Sequence, residues 1–117
     1  MHANALIRIG QISYTNVWPI YFHFPHDRFG SRLAWIEQVP SELNRAMLAG
    51  EVDMGAISSF AYAQSHDRYE LYPDLSVSAY GNVNSILLFH KKPLAELDGC
   101  TVMLPTTSAT SGNLLKI

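Results

Sequence analysis

The chain of 117 residues is poor in the features that usually announce a function. Its single cysteine, Cys100, has no partner for an intrachain disulfide, and its place at the start of an expected strand reads as a small buried thiol rather than a nucleophile. No apolar run approaches the roughly 18 to 20 residues that a membrane-spanning helix needs, so no membrane partner is expected. Met1 to Gly10 hold one arginine and too short an apolar stretch for a secretory leader, and the expectation is a cytoplasmic protein. Only 15% of residues are charged, and the formal net charge is −2. Arg8, Arg28, Arg32, Arg45, Arg68, Lys91, Lys92 and Lys116 are scattered without a basic stripe, which excludes nucleic acid as the main partner.

The glycines are few and wrongly placed for a phosphate-cradling loop or a dinucleotide fingerprint, and no Gly-x-Ser-x-Gly elbow occurs. No cofactor is expected. His2, His23, His26, His66 and His90 keep no ligand spacing with Asp, Glu or Cys, so no metal is expected either, and His23 with His26 reads as a surface pair. What the chain does have is apolar material: 48% of residues are hydrophobic, enough for one core and against disorder.

That material is arranged in alternating strand and helix patterns. Leu6 to Ile12 and Leu33 to Val39 read as β-strands, and Val52 to Ile57 as a third. An aromatic-rich segment after Asn16 starts a helix. Pro40-Ser41-Glu42 opens another, with Leu43, Ala46 and Met47 on one face and Gly50 as its stop, and Ser58-Ser59 caps one carrying Phe60 to Ala63. The alternation implies a mostly parallel α/β sheet with crossover helices. Further on, Leu71 to Asp74 reads as a turn. Residues 75–80 and 86–89 read as strands flanking the polar stretch Gly81 to Ser85. A helical turn at Pro93 to Leu97, a β-turn at Asp98-Gly99, a strand at Thr101 to Leu104 and a capped helix start within Pro105 to Ser111 follow. The last helix reaches Ile117 without a stop signal, which suggests a piece of a longer protein.

In open α/β sheets, ligands gather beyond the carboxyl ends of the strands. Three polar loops fall there: Ser13 to Asn16, Ser58-Ser59, and Thr106 to Ser111, with Asn82 to Ser85 between lobes. Hydroxyls and free N–H groups at helix starts suit a small carboxylate, although the same residues also serve as plain caps. Tyr14, Trp18, Tyr21 and Phe22 could wall an unsaturated ring or simply belong to the core.

Several segments, in order, resemble a known family. These are Ile9 to Pro19, Val39 to Asn44, Gly50 to Asp53 with Ile57 to Ser59, Asn84 to Phe89, and Leu97 to Gly99 with Thr107 to Ser111. Together they look like chorismate dehydratases of the futalosine route to menaquinone. The resemblance implies a periplasmic-binding-protein type II-like fold of two α/β lobes, with residues 1–90 as the first lobe and its crossing strand and residues 91–117 as the start of the second. It implies a hydro-lyase that removes water from chorismate to give 3-(1-carboxyvinyloxy)benzoate, with the substrate's own enolpyruvyl carboxylate as base. Carried over by motif, Asn16 and Ser85 are the catalytic residues at the reacting ring, while Ser58, Ser59, Thr107, Ser108 and Ala109 are substrate-binding. Thr15 departs from the aliphatic residue expected at its position. Rival readings are a 1,4-dihydroxy-6-naphthoate synthase-like enzyme of the same pathway, a transporter's solute-binding protein and a non-catalytic anion sensor. This chain alone is expected to be inactive and to self-associate.

Overall fold

The computed structural model describes residues 5–117. Its organised part is a parallel sheet of three strands, β1 (Ile7–Ile12), β2 (Leu33–Gln38) and β3 (Met54–Gly55), in the order β2-β1-β3. Ile7 pairs with Leu33 and Ile12 with Gln38 across one edge of β1, while Ile9 pairs with Met54 and Gly10 with Gly55 across the other. Parallel neighbours require crossovers. The first runs through a turn of 3-10 helix at Thr15–Val17, then α1 (Trp18–Tyr21) and α2 (His26–Phe29); the second is α3 (Pro40–Ala49).

The boundaries of α3 follow from its sequence. Val39 is extended, Pro40 occupies the first turn where a missing N–H costs nothing, and Glu42 sits in that turn where the helix dipole favours an acid. Gly50 ends the helix in the left-handed region, φ 71°, with its N–H directed at the carbonyls of Ala46 and Met47.

Leu43 of α3 is fully buried, and the reason lies in the glycines beneath it. A Cβ on Gly10 would run into Leu43 Cδ1 and lie 3.0 Å from Val52 Cγ1, and one on Gly55 would lie 3.1 Å from the Gly10 carbonyl oxygen. The register-paired glycines thus leave a hollow that the leucine fills. Around it gather Ile12, Val17, Ala46 and Val52, with Tyr21, Ile36, Met47, Ala56 and Ile57 packed against them.

A polar clamp closes the edge of this core. Asp53 accepts from the Arg8 backbone N–H at 2.8 Å and from Arg8 Nε at 3.0 Å on Oδ2, and from Arg8 Nη2 at 2.6 Å on Oδ1. The same Nη2 donates to the Gly50 carbonyl at 2.8 Å, and Asp53 N donates back to Arg8 O at 2.9 Å. Hydrogen bonding from the Arg8 side chain, before its charge, holds the Asp53 carboxyl down at about 2. Gly50 to Asp53 is therefore a structural unit: helix stop, core residue and clamp.

Beyond α4 (Ser59–Gln64) the expectations hold less well. Residues 75–80, 86–89 and 101–104 form no strand, and β3 is two residues rather than six. Apolar alternation shows that a segment can be a strand, but a strand exists only when a neighbour takes its N–H and C=O groups. None does so here among the described residues. The radius of gyration is 17.6 Å, well above the ~13 Å of a packed domain near this size. Phe89 and Met103 are 87% and 93% exposed. Cys100 is exposed as well, its Sγ 3.7 Å from the Glu96 carbonyl, which corrects the reading of a buried thiol: the strand that would have buried it is not formed. The turns fare better, at Pro73-Asp74 and at Asp98-Gly99, where Gly99 has φ 71°.

Candidate active site at the carboxyl edge of the sheet

The last residues of β1 and β2 open onto a depression of about 330 Å³ lined by Gln11, Ile12, Ser13, Tyr14, Thr15, Trp18 and Glu37. Gln11 and Glu37 are register partners, so an amide and a carboxylate stand side by side in its lining. Tyr14 and Trp18 rise beside them, 45% and 58% exposed. The aromatic segment therefore divides. Tyr21 turns inward, its hydroxyl donating to the Gly10 carbonyl at 3.4 Å, and burial pushes its pKa up against a smaller opposing hydrogen bond from the Ala56 backbone. Trp18 and Phe22 stay outside, edge to face at 4.9 Å.

Asn16 is exposed on the 3-10 turn between the lining residues Thr15 and Trp18, without being part of that lining. Ser85 is exposed in a turn with Asn84, and Gly81, with φ 81°, bends the chain ahead of it. Ser85 belongs to neither of the two depressions described here, and no hydrogen bond joins it to Asn16 among the described residues. The chain thus presents the two residues assigned to the reacting ring without bringing them together.

The hydroxyl loops are better organised. Ser58 caps α4 by accepting the Ala61 N–H at 3.1 Å. It is gripped by Asn44 of α3, whose Oδ1 accepts the Ser58 N–H at 3.2 Å and whose Nδ2 donates to Ser58 Oγ at 3.3 Å. Ser59, next in line, is exposed. Ser108 caps α5 (Ala109–Leu114), accepting the Ser111 N–H at 3.3 Å and sharing a 2.8 Å hydrogen bond with Ser111 Oγ. Ala109 O accepts from Asn113 Nδ2 at 2.8 Å, and Thr107 is partly buried just before the cap. Helices α4 and α5 pack together, so the Ser58-Ser59 and Thr107 to Ala109 segments belong to neighbouring elements. Both helices are six residues long, which leaves little macrodipole at their N-termini.

Sequence reasoning gave Glu37, Gln11 and Asn44 no place at the site, although Gln11 and Asn44 lie in family-like segments. Glu37 and Gln11 stand at the ends of parallel strands, a position that could have marked them. Asn44 gave no local signal, since its partner is 14 residues away. A second depression of about 430 Å³, lined by Gln38, Glu42, Arg45, Ala46, Ala49 and Glu51, lies along α3, and Gln38 Oε1 is buried without a hydrogen-bond partner. Among the described residues no cluster of His, Cys, Asp and Glu could hold a metal ion, and no helix is long and apolar enough to cross a membrane.

Comparison with known proteins adds a family to this geometry. The family model described as menaquinone biosynthesis matches residues 7–117. A curated chorismate dehydratase of Thermus thermophilus is 43% identical over 109 residues, which is 93% of this chain and 38% of that protein. The chain therefore spans well under half the length of the curated relative it matches. No solved structure matches.

Proposed function

Since the chain belongs to the menaquinone biosynthesis family, we propose that the protein carrying it is a chorismate dehydratase, a hydro-lyase converting chorismate to 3-(1-carboxyvinyloxy)benzoate in the cytoplasm. The observation that carries the reading is the 43% identity over 109 residues to a protein of that name. The sheet order and the polar depression beyond the carboxyl ends of β1 and β2 agree with it.

In this proposal residues 1–90 belong to the first lobe of a periplasmic-binding-protein type II-like fold and residues 91–117 to the start of the second. Strand partners for residues 75–80, 86–89 and 101–104 then come from the completed lobes, and closure brings Asn16 and Ser85 to the same ring. The reaction removes a proton from ring carbon and expels the neighbouring hydroxyl, and aromatisation drives it. The enolpyruvyl carboxylate of the substrate takes the proton, so the protein's task is to bind, orient and exclude water. Asn16 and Ser85 orient the reacting ring, Tyr14 and Trp18 wall it, and Ser58, Ser59, Thr107, Ser108 and the Ala109 backbone bind carboxylate.

The test is incubation of the protein, as its cell makes it, with chorismate, followed by mass spectrometry and ultraviolet absorbance. Loss of one water with appearance of an aromatic product supports the reading. Tight binding of chorismate without turnover would replace the enzyme with a solute-binding protein.

A further inference from the structure

We infer that Glu37, with Gln11 beside it, determines specificity by gripping the ring hydroxyl of the substrate; the inference rests on the proposed chorismate dehydratase reading. Side chains on one face of a strand recur at every second residue, so β1 and β2 present successive rungs on the face that carries this pair: Ile7 with Leu33, Ile9 with Trp35, and Gln11 with Glu37. The middle rung is covered. Ile9 is buried, and the rings of Tyr21, Phe24 and His26 pack on Trp35 at 5.7, 5.1 and 4.9 Å. At the next rung both strands turn polar together, and there the depression of about 330 Å³ opens, with Ser13, Tyr14, Thr15 and Trp18 around it.

The pair is left free to meet a ligand. No side-chain hydrogen bond or ion pair of Gln11 or Glu37 occurs among the described residues, and Glu37 is exposed while Gln11 is half-buried. A carboxylate only accepts, whereas a primary amide also donates, so together they match a group that donates one hydrogen bond and accepts another, which is a hydroxyl. Chorismate offers a single free hydroxyl. Its other polar ends are carboxylates, which cannot donate to Glu37 and are repelled by its charge. The hydroxyl is therefore the group that seats at this rung, beside Tyr14 and Trp18, with its proton on Glu37 and its oxygen facing the Gln11 amide. The product keeps both carboxylates and has lost the hydroxyl, so Glu37 tells substrate from product and favours product release.

The natural product serves as the probe that lacks the hydroxyl. In the protein as its cell makes it, Glu37→Ala should lower kcat/KM for chorismate about tenfold or more, the size of a lost hydrogen bond to a charged group, while the inhibition constant of 3-(1-carboxyvinyloxy)benzoate changes less than about twofold. A side chain that merely shaped the depression would weaken both ligands alike. The inference requires the loss for chorismate to exceed the loss for the product by about fivefold, and a smaller difference overturns it. If Glu37→Ala does not fold, as read by circular dichroism, Gln11→Ala decides by the same two constants and the same threshold. A wild-type protein that leaves chorismate untouched refutes the function itself, an outcome visible before any variant is made.

Discussion

Adding one methyl group at Gly10 should damage the fold more than most surface substitutions in this chain. In Gly10→Ala the new Cβ is directed onto Leu43 Cδ1 and lies 3.0 Å from Val52 Cγ1. Neither neighbour has room to retreat, since Leu43 is fully buried and Val52 is 3% exposed. Gly10 is held in place by its pairing on both sides, with Ile36 and with Gly55. Overpacking of this kind costs roughly 1–3 kcal/mol. Leu43→Ala should cost about 2–5 kcal/mol on its own, through lost burial and the cavity left behind. In the double variant the alanine at position 43 makes room for the one at position 10, so the two costs should not add, with a coupling of about 0.5–3 kcal/mol. Urea unfolding followed by tryptophan fluorescence measures all four states of this cycle, with Trp35 in β2 as a reporter near the core. An unchanged midpoint for Gly10→Ala, or strict additivity in the double variant, would refute the packing of Leu43 into the glycine hollow.

Acid should loosen the first strand pairings. The Asp53 carboxyl is held at about 2, below its ordinary value of 3.8, so its contribution is present above the ordinary value and is lost as pH falls through about 2; a Tm series from pH 6 to pH 2 should decline less steeply in Asp53→Asn than in the parent. Asn16→Ala and Ser85→Ala, made in the protein as its cell produces it, should each lower kcat roughly 100-fold to 1,000-fold, the scale of a lost oriented donor, with little change in Tm because both side chains are exposed. Near-normal turnover in both variants would leave their catalytic assignment without support. The 117-residue chain by itself should self-associate through its exposed apolar residues, such as Leu87, Phe89 and Met103, and should not turn over chorismate; size-exclusion chromatography with light scattering showing a monomer at all concentrations would contradict the first expectation.

The sequence was most legible where the signal is local. β1, β2 and α3 follow from apolar periodicity and from Pro40 and Gly50, and the cap of α4 from Ser58-Ser59, whereas Pro105 to Ser111 offered several hydroxyls of which the structure uses Ser108. Distant pairings left no such mark. The Arg8–Asp53 clamp joins residues 45 apart, and nothing near either one predicts the other. The strand patterns at residues 75–80, 86–89 and 101–104 are equally clear in the sequence, but pairing requires partners that the described residues do not supply. For the candidate site, family motifs pointed to Asn16, Ser85 and the hydroxyl loops. The depression walled by Gln11 and Glu37 required the parallel register, which no local pattern encodes.

Loss of water from the substrate can be read in a single time course: chorismate with the protein as its cell makes it, sampled by mass spectrometry against a heat-inactivated control. A chorismate dehydratase should give enzyme-dependent conversion to a product lighter by one water, with the absorbance of an aromatic ring rising in step. Chorismate that stays intact at the control rate, with the protein folded and at a concentration above that of its substrate, would contradict it.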